Sequence, residues 1–86
     1  MIKGRLESGF EFELDDNIFD DFELVELFAK VAKNPIFIGD LAEKMLGPEQ
    51  KKALMEHLRD ENGKVRTSSM MQALKEIEDA IPAAKN

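Results

Sequence analysis

The sequence has no cysteine and a single histidine, His57, among its 86 residues. Without cysteine there can be no disulfide bond or thiolate metal site, and one histidine cannot build a histidine-rich metal centre. No apolar run approaches the ~20 residues that a membrane-spanning helix needs. The N-terminal residues also lack the apolar core and cleavage site of a secretory signal. These absences predict a soluble cytoplasmic protein that uses no cofactor, no metal and no membrane.

Length and composition favour one small globular domain, because 43% of the residues are hydrophobic and 35% are charged. We place this domain at residues 1–81 and expect residues 82–86, which begin with Pro82, to fray. A chain of this length buries only about 60% of its unfolded surface. A deep enclosed active site is therefore not expected.

The net charge of −6 is unevenly distributed, because residues 1–28 hold nine acids and two bases, whereas residues 29–86 hold nine acids and ten bases. The acidic N-terminal third repels a phosphate backbone, so nucleic acid is not an expected partner. Six acids are candidate protein-interaction residues: Glu11, Glu13, Asp15, Asp16, Asp20 and Asp21. They form either a docking face for a basic partner or a solvated face that keeps a small domain soluble, and charge alone does not decide between these.

Alternation of apolar and polar residues predicts a β-hairpin at about residues 2–15, closed by the three-residue loop 7–9. Gly9 then occupies the position where such loops need a left-handed residue. The register pairs Leu6 with Phe10, Gly4 with Phe12 and Ile2 with Leu14 on one face, and Arg5 with Glu11 and Lys3 with Glu13 on the other. A two-residue loop would mix the two faces, so we reject it.

Helical spacing predicts four helices at about residues 21–33, 37–46, 48–60 and 68–80. Asp20 is the expected N-cap of the first helix, Gly47 and Pro48 separate the second from the third, and Thr67 or Ser68 is the expected cap of the fourth. Residues 36–38 could equally be extended, and Gln50 is expected to point outward. The predicted fold class is α+β, with an N-terminal β-hairpin followed by a bundle of about four short α-helices.

No catalytic or metal-binding motif is satisfied. An EF-hand aligned with Gly63 at its sixth position has Leu58 at the first and Ser69 at the twelfth, which excludes calcium binding of that type. His57 has no nucleophile among its helical neighbours, so we interpret it as a partly exposed structural histidine. All five glycines are isolated, so there is no phosphate-binding loop. We therefore do not expect an enzyme.

Two short apolar runs are candidates for a protein-binding surface. Their candidate residues are Phe37, Ile38, Met70 and Met71. Each run has more apolar bulk than one helix face can bury, and methionine is common at adaptable interfaces. The other interpretation is that these side chains fill gaps between the hairpin and the helices.

The order of these features resembles the small tail assembly chaperones of long-tailed bacteriophages and prophages. The resemblance is carried by FEFELDD at 10–16, the Asn34-Pro35 break, LGPEQKKALMEHLRDENGKV at 46–65 and ALKEIEDAI at 73–81. It implies a non-enzymatic protein, in the cytoplasm of a bacterial host, that keeps a tape-measure or tail-tube protein soluble during tail morphogenesis. It supplies no catalytic residues.

Two other functions stay open at this point. One is a small acidic prophage adaptor or inhibitor that binds a basic host protein. The other is a DNA-binding module that uses the bases of the second and third helices, although the acidic N-terminal third argues against it. A homo-oligomer also remains open.

Overall fold

A computed structural model describes residues 1–81 as an antiparallel β-hairpin followed by helices. The elements are β1 (Ile2–Arg5), β2 (Glu11–Leu14), α1 (Phe22–Lys33), α2 (Ile38–Leu58) and α3 (Thr67–Asp79), with 3-10 turns at Ile18–Asp20 and Pro35–Phe37. The α+β class and the N-terminal hairpin are confirmed. The predicted fraying of 82–86 lies outside the described residues.

The hairpin has the predicted register. Ile2 pairs with Leu14 and Gly4 with Phe12, while the polar pairs lie on the opposite face. The loop is closed by hydrogen bonds of 2.8 Å from the Leu6 amide to the Phe10 carbonyl and from the Gly9 amide to the Leu6 carbonyl. Gly9 has φ of 101°, as the three-residue loop requires. The structure therefore has the register that keeps the apolar residues of both strands on one face, as the three-residue loop predicts.

The expected count of about four helices is wrong, because the structure has three α-helices within residues 1–81. The predicted second and third helices are one element, Ile38–Leu58, with a kink at Gly47 (φ 82°, ψ 161°). Gly47 leaves the helical region, but Pro48 can start a helical turn at once, so no loop separates the two parts. Phe37 lies in the preceding 3-10 turn rather than in the helix.

Two helix starts differ from prediction. The N-cap of α1 is Asp21, whose carboxylate accepts a hydrogen bond of 3.0 Å from the Glu23 amide. Asp20 cannot cap α1 because it belongs to the preceding 3-10 turn, where its amide donates to the Asn17 carbonyl. The N-cap of α3 is Arg66, without a side-chain cap, so neither Thr67 nor Ser68 has that role.

The core lies where the inner face of the hairpin meets the apolar sides of all three helices. Its largest fully buried side chains are Leu14, Leu24, Leu54, Ile77 and Ile81. Within residues 1–81 no polar or charged residue is buried with them. None of the described helices combines the length and apolar character needed to cross a membrane.

Candidate protein-binding groove

An open groove of about 590 Å³ lies between α1, the first turn of α2, and α3. Its apolar lining consists of Phe28, Val31, Ala32, Ile38, Leu41, Met71 and Leu74. Such a concave apolar surface between helices is a common position for a ligand or a partner segment.

The exposed fractions of the lining residues show which of them form the base of the groove and which form its sides. Leu41 and Leu74 are only 4% exposed and form the base, whereas Phe28 and Val31 are half-buried along α1. Met71 is 40% exposed on the α3 side. The groove therefore presents apolar carbon to solvent that no other part of the described chain covers.

All polar side chains that line the groove come from α3. They are Ser68, Gln72, Lys75, Glu78 and Asp79. The α1 side is apolar and includes the exposed Ala32. A segment bound here would thus meet an apolar wall on one side and a polar, mixed-charge wall on the other.

The structure brings together two of the four apolar candidates. Ile38 and Met71, 33 positions apart in the sequence, line the same groove. Met70 instead lies in the core at 7% exposure, because it shares a helical stripe with Leu74 and Ile77, whereas Met71 is rotated away from that stripe. Phe37 is not among the residues that line the groove; it is half-buried, with the Lys30 ammonium 5.7 Å from the centre of its ring.

The acidic candidates do not form one unpaired face, because most of them have partners within the chain. Glu13 lies 3.7 Å from the Lys3 ammonium, and Asp16 binds the N-terminal ammonium at 2.9 Å. The Asp15 carboxylate accepts a hydrogen bond of 3.0 Å from the amide of Asn17. Glu11 is opposite Arg5 in the hairpin, and Asp20 is exposed.

Asp21, the last acidic candidate, links α1 to α2 through Lys44. The Lys44 ammonium lies 3.2 Å from Asp21 and 3.4 Å from Glu23. Hydrogen bonding to Asp21, and then to Glu23, raises the pKa of Lys44. Desolvation tends to raise the pKa of Asp21, but Lys44 and backbone amides outweigh it, so this pKa is lowered. Asp21 therefore has a structural role at the start of α1.

A contact between Ser8 and His57 was missed by sequence reasoning. His57 Nε2 lies 2.9 Å from Ser8 Oγ, and the His57 ring is 5.5 Å from that of Phe10. The helical neighbours of His57 do not indicate this contact, because Ser8 lies 49 residues away in the sequence. Among the described residues no carboxylate hydrogen-bonds to the ring, and both side chains are exposed. The pair therefore lacks the third group of a hydrolytic triad. Its hydrogen bond connects the hairpin loop to α2.

Within residues 1–81 no three His, Cys, Asp or Glu side chains are grouped so that they could hold a metal ion. The described features define a small α+β protein with an open apolar groove between helices. Comparison with known protein families, curated proteins and solved structures finds nothing that matches this chain.

Proposed function

We propose that the protein is a non-enzymatic tail assembly chaperone of a bacteriophage or prophage, acting in the cytoplasm of the bacterial host. Its partner in this proposal is a tape-measure or tail-tube protein that would aggregate without it. The resemblance of the sequence supplies this class of partner. The groove shared by Ile38 and Met71 is the structural observation that supports binding of such a protein.

The groove suits an amphipathic helix of the partner. Such a helix presents apolar side chains at positions i, i+3, i+4 and i+7, which can insert between the apolar wall of α1 and Met71. Met71 can adopt several rotamers, so the groove can accept different apolar side chains along one long partner. On the polar wall, Lys75 can pair with acids of the partner, and Glu78 and Asp79 can pair with its bases.

Binding of this kind would cover the apolar stripe that makes the free partner aggregate. The net charge of −6 would then keep the complex soluble. Release requires only that the tail assembly bury the same stripe more completely than the groove does. Neither step needs a chemical reaction, which agrees with our proposal that the protein is not an enzyme.

Photo-crosslinking tests where the partner binds. A benzoylphenylalanine at position 71 should crosslink to a co-expressed tape-measure or tail-tube protein. The matched control is position 53, where Ala53 is exposed on α2 and outside the groove. Equal crosslinking from both positions, or none from position 71, would exclude the groove as the binding site.

The alternative is a small acidic adaptor or inhibitor that binds a basic host protein. Its binding face would be the acids between Glu11 and Asp21, yet Glu13, Asp16 and Asp21 already have partners within the chain. Changing Asp15, Asp16, Asp20 and Asp21 to Asn should abolish capture of a basic host protein if this alternative holds. Unchanged capture would remove it.

A further inference from the structure

Helix α1 has a second apolar face that points away from the core. Phe22 is 74% exposed and Val25 is 45% exposed, and Ala29 follows at helical spacing and is also exposed. We call Phe22, Val25 and Ala29 the outer stripe. Leu24, in contrast, is only 1% exposed on the core side of the same helix. Exposed apolar groups at a regular spacing are typical of a surface that another helix covers.

Two charged residues accompany the outer stripe. Glu26 and Lys33 are both exposed and lie seven residues apart, which is about 10.5 Å along the helix axis. Among the described residues, neither forms an ion pair within 4.0 Å. The acid thus belongs to the N-terminal half of α1 and the base to its C-terminal half.

We propose that the outer stripe binds α1 of a second copy of this chain, in an antiparallel, twofold-symmetric dimer centred near Ala29. Antiparallel pairing about this centre places Glu26 of each copy opposite Lys33 of the other. Ala29 meets Ala29 at the centre, where a small side chain allows the two helices to approach closely. Phe22 reaches the far end of the other α1, near Ile36, which is 77% exposed.

Charge complementarity selects a second copy as the occupant. An interface between two copies uses the same patch twice, so the patch must be complementary to itself. The face of α1 that carries the outer stripe meets this condition, because reversal of the helix exchanges the positions of Glu26 and Lys33. With 12 residues, α1 is only about 18 Å long, so the interface is small and the dimer is reversible.

Charge exchange tests this dimer directly. Sedimentation of the full chain should show concentration-dependent dimers. Either Glu26→Lys or Lys33→Glu alone should weaken dimerisation by about tenfold to a hundredfold, because each dimer contains two pairs of Glu26 with Lys33. An equimolar mixture of the two variants should dimerise again, since the heterodimer restores both pairs. This recovery cannot come from misfolded protein. Glu49→Lys, an exposed change elsewhere on α2, is the matched control and should dimerise like the wild type.

Three outcomes would overturn the proposal. A wild-type chain that stays monomeric at millimolar concentration has no such interface. Dimerisation that is unaffected by either charge reversal uses another surface. Single variants that are both monomeric but do not recover when mixed would show that Glu26 and Lys33 do not face each other across a twofold axis.

Discussion

The side-chain amide of Gln50 pairs with both backbone groups of Glu13. The Glu13 amide donates to Gln50 Oε1 and Gln50 Nε2 donates to the Glu13 carbonyl, each at 2.8 Å. Gln50 Nε2 also donates to the Leu46 carbonyl at 2.9 Å, next to the kink of α2. One half-buried side chain thus joins β2 to α2, although we expected it to point outward.

Replacing Gln50 should therefore loosen the hairpin. We expect Gln50→Ala to lower the free energy of unfolding by about 1–3 kcal/mol, because it leaves the Glu13 backbone groups without these partners. Glu49→Ala, an exposed neighbour, should change it by less than about 0.5 kcal/mol. Urea denaturation checks both values, and equal effects of the two changes would contradict the assigned contact.

The N-cap of α1 can be tested at two adjacent residues. Asp21→Ala should reduce stability by about 1 kcal/mol, since the Glu23 amide loses its acceptor. Asp20→Ala, the cap that the sequence suggested, should have less than about half that effect. If thermal or urea denaturation ranks these two variants in the opposite order, α1 begins one residue earlier than the structure shows.

The kink in α2 gives opposite predictions for two glycines of one helix. Gly47→Ala should destabilise the protein by about 1–3 kcal/mol, because φ of 82° with ψ of 161° suits only glycine. Gly39→Ala should stabilise it by about 0.4–1 kcal/mol, since the nearest atom to an added Cβ is the flexible Lys51 Nζ at 3.9 Å. Calorimetry on both variants measures this difference, and a neutral Gly47→Ala would mean that the kink is not required.

Acid should weaken the fold in part through Glu56. Hydrogen bonds from Arg59 hold the pKa of Glu56 below its usual range. Between the folded and unfolded pKa values the unfolded chain binds more protons, so this contribution is present at neutral pH and is lost as the pH falls below about 4. Urea midpoints from pH 3 to pH 7 should vary less for Glu56→Gln than for the wild type. Glu61→Gln is the control, and an equal reduction in that variant would count against the Arg59 contact.

How far the sequence predicts this fold depends on the range of each interaction. The hairpin register follows from local information, because one face is buried and the loop at Gly9 fixes the pairing. The number of helices does not follow from local information, because Gly47 followed by Pro48 is compatible with either a helix boundary or a kink within one helix. Asp20 and Asp21 have the same side chain, and only the backbone conformation before α1 distinguishes them.

The sequence predicted individual residues of the candidate groove but not which of them lie together. Ile38 and Met71 were each identified from local apolar runs, but their common position depends on the packing of α3 beside α1 and the start of α2. Met70 and Met71 were both candidates, and a rotation about the helix axis distinguishes them, because it places Met70 in the core and leaves Met71 exposed. The contact of Ser8 with His57 joins residues 49 positions apart, and no local pattern contains it.

Co-expression is the most direct test of the function that we propose for the groove. The quantity to measure is the soluble fraction of a tape-measure or tail-tube protein produced with the wild type, with Met71→Glu, or with Ala53→Glu. The last variant adds the same charge on α2 outside the groove. We expect the wild type and Ala53→Glu to raise the soluble fraction and co-purify with it, and Met71→Glu to do neither. Equal solubilisation by Met71→Glu and Ala53→Glu, or none by the wild type, would contradict the proposed chaperone.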